Sequence, residues 1–154
     1  MERKGDTMER TFVYLKPNAV RRGLIGEILK RFEQRGLKVL AMKFHKMTTE
    51  EGRALYREHE EKPFYTPLLE FATGGPGLFM IVEGPRCVEL VRHLIGNTDP
   101  LKAESGSIRA DYAVSVRKNL IHASDSTQSY EREHKLFFSE EDIINYKLDV
   151  QNDL

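Results

Sequence analysis

The segment spanning residues 78–82 constrains the fold more strongly than any other part of the chain. Its sequence, Leu-Phe-Met-Ile-Val, is apolar throughout and is the longest apolar run in the chain. A strand with one exposed face alternates apolar and polar residues, so an unbroken run is typical of a strand buried on both faces. The run is also far too short to cross a bilayer. We therefore expect a buried strand here and no membrane-spanning segment.

Apolar periodicity, turn residues and helix caps divide the rest of the chain into strands and helices. Runs of β-branched and aromatic residues predict further strands at 11–15, 37–44 and 120–122. Helical spacing predicts helices at 24–32, 48–59, 63–71, 87–95 and 126–138, with a final turn at 139–144. Thr48 and Glu51 form a capping-box pattern, and Gly96 closes the fourth helix. Residues 97–118 have no clear period, and a loop of that length is usually functional.

The order of these elements predicts the fold class. It is β-α-β-(α)-β-α-β followed by C-terminal helices, which is the ferredoxin-like split βαβ pattern. We expect an α+β fold with a βαββαβ antiparallel sheet and helices packed on one face. The sequence contains no internal repeat, low-complexity segment or linker. Residues 1–154 are therefore expected to form a single domain, with residues 1–8 as an N-terminal extension.

Charge and cysteine content exclude several functional classes. Lys and Arg number 24, as do Asp and Glu, so the net charge is zero and a general nucleic-acid binder is disfavoured. A single cysteine excludes an intrachain disulfide and is typical of a reducing compartment. One cysteine and five scattered histidines do not form a zinc cluster. The charged N-terminus lacks the apolar region of a signal peptide, so we expect a cytoplasmic protein.

The segment 119–126, Asn-Leu-Ile-His-Ala-Ser-Asp-Ser, carries the clearest chemical signal. Its apolar step leads to His122, and a neutral imidazole at a strand end can attack phosphorus and carry a phosphoryl group. Lys16, Arg92 and Arg109 could hold a triphosphate, because guanidinium donors match phosphate oxygens. Thr98 could add a neutral donor, as could Asn119. The sequence has neither a P-loop nor protein-kinase motifs, which favours a phosphohistidine route.

Four segments carry a resemblance to a known family. Residues 11–17, 22–28, 106–111 and 119–126 resemble those of nucleoside diphosphate kinases, in the family's order and at its spacing. The similarity extends from about residue 8 to about residue 146. It implies a ping-pong reaction in which a nucleoside triphosphate such as ATP gives its γ-phosphoryl group to His122. A nucleoside diphosphate then takes that group.

The resemblance also implies roles for dispersed side chains. Those expected to contact phosphates or the reacting centre are Lys16, Tyr56, Arg92, Thr98 and Arg109. Asn119 would meet the ribose together with Lys16. Phe64 would stack on the base, with Val116 and Leu68 nearby, and stacking explains tolerance of every base.

The remaining implied features concern the histidine, the metal and the assembly. Ser124 and Glu133 would hydrogen-bond to His122 and fix its tautomer. Mg²⁺ would arrive with the nucleotide, and Asp125 would touch it through water. The family forms closed homo-oligomers, so we expect a hexamer, with a tetramer as the alternative. Residues 97–118 and the C-terminal tail are the expected contact regions, and neither a membrane nor an obligatory nucleic acid is expected.

The sequence departs from the family pattern at several positions, and two alternatives stay open. Asn18 replaces a common Asp, and Gly77 lies where a β-branched residue is common. His59, near Tyr56, is interpreted as a surface or packing residue. The split βαβ fold also carries single-stranded RNA binders, although residues 78–82 lack the start of their motif. The second alternative is a phosphohistidine relay or a family member that serves mainly as a scaffold. An intact His122 and its cationic partners disfavour a purely structural role, but they leave phosphotransfer to a protein open as a side activity.

Overall fold

The computed structural model describes residues 8–149. Four strands form one sheet, and they are β1 (Met8–Leu15), β2 (Lys38–Lys46), β3 (Pro76–Pro85) and β4 (Ile121–Ala123). Their order is β2-β3-β1-β4, and each neighbouring pair is antiparallel. This arrangement confirms the predicted ferredoxin-like sheet, with β3 and β1 at its centre.

Helices connect the strands and follow the last one. The α-helices are α1 (Pro17–Arg21), α2 (Ile25–Gln34), α3 (Thr49–Leu55), α4 (Tyr65–Thr73), α5 (Cys87–Ile95), α6 (Ile108–Tyr112) and α7 (Thr127–Glu133). Short 3₁₀ turns lie at Arg57–His59, Pro100–Lys102, His134–Leu136 and Glu140–Asp142. The capping box of Thr48 and Glu51 is present at the start of α3, and Gly96 ends α5 with a positive φ of 92°.

The sheet is covered on both faces, so the expectation of helices on one face is wrong. One face carries Val13 and Met80 and packs against α2 and α5. The other face carries Phe12 and Phe79 and packs against α3, α4 and α7. Burial on both sides explains why residues 78–82 are apolar without alternation. The α3–α4 segment and the C-terminal helices form the second layer.

Several boundaries differ from the expected ones for local reasons. Strand β1 begins at Met8, which pairs with Pro85, so Met8 belongs to the sheet rather than to the expected extension. Residues 1–7 of that extension lie outside the described residues. Helix α1 was not predicted, but Pro17 suits the first turn of a helix because its missing N–H needs no partner there.

The region 97–118 is not a featureless loop. It contains the Pro100–Lys102 turn and α6, whose N-terminus is capped by the Ser107 hydroxyl, which accepts a hydrogen bond from Ala110 N–H. Each of these elements is too short for apolar periodicity to reveal it. Within residues 8–149, no helix is long and apolar enough to span a bilayer.

Candidate active site

Strand β4 brings His122 to the edge of the sheet, beside Tyr14 of β1. The strand is preceded by a tight turn, in which Ile121 N–H donates to the Asn119 carbonyl at 3.0 Å. Leu120, at the centre of this turn, has a φ of 77° although it is not glycine. A buried Leu in that region is strained and persists only where its surroundings impose it. The turn separates the amide of Asn119 from the imidazole of His122.

Glu133 of α7 fixes the orientation of the imidazole. Its Oε1 lies 2.7 Å from His122 Nε2, and the carboxylate is buried. An ionised carboxylate can only accept hydrogen bonds, so Nε2 carries the proton and Nδ1 keeps its lone pair. The rings of Phe12 and Tyr56 pack at 6.1 and 6.3 Å from the imidazole centre. The geometry therefore leaves the lone pair of Nδ1 outside the contact with Glu133.

Ser124 acts on the carboxylate rather than on the histidine. Its hydroxyl donates to Glu133 Oε1 at 3.0 Å, and no hydrogen bond joins it to His122 among those of residues 8–149. The expectation that Ser124 bonds directly to the imidazole is therefore wrong. The two residues share one acceptor atom, so Ser124 orients Glu133, which orients His122. Both Ser124 and Glu133 are buried, which holds this pair in place.

Lys16 and Asn119 form a buried polar pair beside the histidine strand. Lys16 Nζ donates to Asn119 Oδ1 at 2.9 Å, and Asn119 Nδ2 donates to the Thr98 carbonyl at 3.4 Å. Burial, and after it the nearby positive charge of Arg109, lowers the pKa of Lys16 from 10.5 to about 7. Within residues 8–149 no carboxylate pairs with this ammonium, so the site favours an anionic ligand.

Arg109 of α6 is held almost entirely by backbone carbonyls. Its guanidinium donates to the carbonyls of Gly96 at 2.9 Å, Asn119 at 3.3 Å and Ile121 at 2.6 Å. Burial and the charge of Arg92 lower its pKa from 12.5 to about 10. Because carbonyl oxygens do not neutralise a cation, Arg109 keeps its positive charge available to a phosphate.

Arg92 is the third member of a group of cations with Lys16 and Arg109, which we call the cationic wall. Gly96 allows the helices that carry the two arginines to approach each other. Arg92 Nη1 donates to the Ala123 carbonyl at 3.3 Å, immediately after His122. Gly96 has a positive φ, and a Cβ there would lie 2.4 Å from Ser107 Oγ. Only glycine fits this approach of α5 to α6. The contact brings the arginines of both helices to the end of β4.

Tyr56 and His59 each have a buried polar atom without a hydrogen-bond partner among residues 8–149. These atoms are the Tyr56 hydroxyl oxygen and His59 Nδ1. Burial raises the pKa of the Tyr56 hydroxyl well above 10, and Tyr14 and Glu133 add to this. Buried polar groups are normally paired, so an unpaired hydroxyl on a ring that packs against His122 is a candidate to bind a ligand. From the sequence alone, His59 is interpreted as a surface or packing residue. Its nearness to Tyr56 in the sequence is the signal that could have pointed to this position.

The expected base-binding residues lie on the surface of the molecule. Phe64, the residue that precedes α4, is 44% exposed, and Val116 is 54% exposed. The ring of His59 lies 5.2 Å from that of Phe64. Leu68 instead packs against the core cluster beneath α4. Thr98 is exposed and contributes its carbonyl to Asn119.

Comparison with known proteins decides which family these residues belong to. A family model described as nucleoside diphosphate kinase matches residues 9–143. The chain belongs to the nucleoside diphosphate kinase family. It is 63% identical over 147 residues to the nucleoside diphosphate kinase of Thermosipho melanesiensis, covering 96% of this chain and 100% of that protein. The corresponding protein of Fervidobacterium nodosum is also 63% identical, with the same coverage.

A solved structure agrees with this assignment. The halophilic nucleoside diphosphate kinase from Halobacterium salinarum, in complex with CDP, has a TM-score of 0.92 and 42% identity. The match covers 95% of this chain and 97% of that chain. The resemblance found in the sequence is therefore confirmed. Members of the family pass a phosphoryl group between nucleoside tri- and diphosphates by a ping-pong reaction through a phosphohistidine, and they are oligomeric.

The acidic side chains of this nucleoside diphosphate kinase fold show which kind of divalent cation site it could form. Asp125 is exposed and accepts a hydrogen bond from Ser129 Oγ at 2.5 Å. This hydrogen bond is the main reason that the pKa of Asp125 lies below its usual range. Within residues 8–149, no group of three or more acidic, histidine or cysteine side chains could hold a metal ion. The donor set fits a hydrated cation bound mainly by nucleotide phosphates.

The departure from the family pattern at Gly77 has a local cause. A Cβ at this position would lie 2.4 Å from Tyr14 Cε2 and 2.8 Å from the Leu15 carbonyl oxygen. The Tyr14 ring stacks on Phe79 with centres 4.4 Å apart and occupies that space. The bulk that a β-branched residue would supply here is supplied by Tyr14.

Proposed function

We propose that His122 carries the phosphoryl group in a nucleoside diphosphate kinase reaction catalysed by this chain. The γ-phosphoryl group of a nucleoside triphosphate passes to His122, and then from His122 to a nucleoside diphosphate. The observation that carries this proposal is the 2.7 Å contact between Glu133 Oε1 and His122 Nε2. It assigns the proton to Nε2 and leaves Nδ1 as the nucleophile.

The first half-reaction forms one bond and breaks one. The Nδ1 lone pair attacks the γ-phosphorus in line, and the bond between that phosphorus and the bridging oxygen to the β-phosphate breaks. The bridging oxygen takes the electron pair and leaves as part of the diphosphate. The imidazole gains positive character as the new bond forms, and the carboxylate of Glu133 stabilises that charge through Nε2–H. The second half-reaction is the reverse, with a different diphosphate as acceptor.

The cationic wall binds the phosphates. Arg92 and Arg109 supply fixed positive charge, which stabilises the developing negative charge without reorganisation, and Lys16 adds its charge once it is protonated. The hydroxyls of Tyr56 and Thr98 act as neutral donors to the phosphates. His59 joins this cradle, which is supported by its unpaired Nδ1.

The rest of the nucleotide is bound by contacts that do not read the base. Asn119 and Lys16 hold the ribose. Phe64 stacks on the base, and Val116 lies near the base. The exposure of Phe64 in the free protein supports this role. Stacking accepts any base because every base has a π-face.

Mg²⁺ accompanies the nucleotide and neutralises part of the phosphate charge. The nucleotide phosphates hold it, and Asp125 contacts it through water. We further propose a single-domain subunit that assembles into a homo-hexamer through residues 97–118 and the C-terminal tail, with a tetramer as the alternative. The single cysteine supports a cytoplasmic location.

The test is transfer of label in two steps. The protein is mixed with γ-labelled ATP and Mg²⁺, and acid-labile phosphate is measured on the chain. GDP is then added. We expect label on the wild-type protein that moves to GTP, and none on His122→Ala of equal thermal stability. Label on the His122→Ala chain, or label that stays on the wild-type chain after GDP is added, would contradict the proposal.

A further inference from the structure

Arg132 connects two parts of the molecule that the proposed mechanism uses separately. It lies on α7, directly before Glu133. Its Nη1 donates to the Ala54 carbonyl at 2.9 Å, and its Nη2 donates to the Leu55 carbonyl at 3.3 Å. These carbonyls lie at the C-terminal end of α3 and have no partner within that helix. Arg132 therefore attaches α7 to the end of α3.

The end of α3 leads directly into the expected nucleotide-binding segment. Tyr56 is the residue after Leu55, and the Arg57–His59 turn and Phe64 follow. We call residues 49–73, which form α3, the turn and α4, the binding hairpin. A shift at the end of α3 would move Tyr56, His59 and Phe64 together.

The same guanidinium also faces the carboxylate behind the histidine. Arg132 Nη2 lies 3.6 Å from Glu133 Oε2, whereas Oε1 accepts from His122 and Ser124. Oε2 of Glu133 thus faces Arg132, whereas Oε1 faces His122 and Ser124. Glu133 is buried, so the guanidinium of Arg132 places a positive charge beside a carboxylate that is shielded from water. The further contact of Arg132 to Glu58 spans 3.9 Å at an exposed carboxylate and contributes little.

We propose that Arg132 is a positioning residue that couples the binding hairpin to the Glu133–His122 pair. It sets the place of the nucleotide and the orientation of the imidazole through one side chain. The inference rests on the proposed function, because it assumes that His122 receives the phosphoryl group. A planar guanidinium holds its donors on separate nitrogens in a fixed fork that reaches two carbonyls and a carboxylate, whereas the three donors of a lysine ammonium share a single nitrogen.

Two substitutions separate the two roles of Arg132. Arg132→Met removes both the carbonyl bonds and the charge beside Glu133. Arg132→Lys keeps a positive charge near Glu133 but cannot bridge both carbonyls and the carboxylate. Arg35→Met is the matched control, since it makes the same substitution at an exposed arginine at the end of α2, on the other face of the sheet. All three are compared with the wild type by rapid-quench measurement of labelled phosphohistidine formed from ATP, after thermal melting establishes the folded fraction.

We expect the maximum rate and the ATP concentration at half-saturation to respond differently to the two substitutions of Arg132. Arg132→Met should lower the maximum rate about tenfold to a hundredfold and raise half-saturating ATP. Arg132→Lys should recover most of the maximum rate but keep half-saturating ATP raised, and Arg35→Met should match the wild type. If Arg132→Met does not fold, the raised half-saturation of Arg132→Lys decides the question.

Two outcomes would overturn the inference, and they differ from failure of the proposed function. Wild-type kinetics in either Arg132 variant would overturn it. So would losses that follow only the folded fraction, with half-saturating ATP unchanged. Failure of the proposed function appears instead as a wild-type chain that takes no label, and this result would also remove the basis of the inference.

Discussion

Lys16 should take up a proton when a nucleotide binds. Its ammonium is buried, donates to the neutral Asn119 side chain, and lies near the positive charge of Arg109. Burial first, and then Arg109, lowers the pKa of Lys16 to about 7 in the free protein. A bound polyphosphate supplies the missing negative charge and favours the charged ammonium, so the pKa of Lys16 rises in the complex.

The size of this uptake follows from that pKa. At pH 8 about one Lys16 in ten is protonated in the free protein, and nearly all are protonated in the complex, which gives about 0.9 proton per site. At pH 6 about nine in ten are already protonated, so uptake falls to about 0.1. Since the protonated form of Lys16 binds the nucleotide, the affinity is highest below about pH 7. Above that pH it falls roughly tenfold per pH unit.

Calorimetry measures this directly. ADP is titrated into the unphosphorylated protein at pH 8 in buffers of different ionisation enthalpy, and the slope of heat against that enthalpy gives the protons taken up. Lys16→Arg is the matched control because it keeps a cation that does not lose its proton in this range. Any protons from the nucleotide itself appear in both proteins. A zero slope in the wild type, or an equal slope in Lys16→Arg, would refute the reasoning.

Three further substitutions test the local arguments. Tyr56→Phe should raise the free energy of unfolding by about 1 kcal/mol, because it removes a buried unpaired hydroxyl. It should also slow turnover, and chemical denaturation with steady-state assays checks both; a stability loss would contradict it. Glu133→Gln should slow phosphohistidine formation about tenfold to a hundredfold in rapid-quench assays, since an amide no longer assigns the proton to Nε2. Gly77→Val should lower the free energy of unfolding by about 2 kcal/mol, because its Cβ overlaps Tyr14, and an unchanged denaturation midpoint would disprove the overlap.

Much of the sheet could be predicted because its signals are local. The apolar run at 78–82 and the capping box at Thr48 depend on residues close together in sequence, and both are present as expected. The second helical layer was not predicted, because it depends on contacts between α3, α7 and the sheet that are distant in sequence. Short helices such as α1 and α6 fall below the length at which periodicity is informative.

The site residues could be found by motif, but not their mutual contacts. The pattern placed Ser124 two residues after His122, and spacing alone does not say that its hydroxyl turns toward Glu133. The sequence does not predict a ligand-binding role for His59, because a histidine outside a motif is usually a packing residue. Its unpaired Nδ1 is visible only once its neighbours fold around it. The assigned roles of these residues stay predictions until the labelling experiment is done.

The polar groups around His122 fall into two sets that differ in how well they are satisfied. Those behind the imidazole are paired, since Glu133 receives hydrogen bonds from His122 and Ser124. Those on the side where phosphates are expected lack countercharge or partners, as Lys16 and Tyr56 do. The free protein thus keeps buried groups in unfavourable states that a polyanion would relieve. Such preorganisation gives electrostatic stabilisation at no cost of rearrangement. It also means that substitutions which satisfy these groups should stabilise the fold and weaken catalysis together.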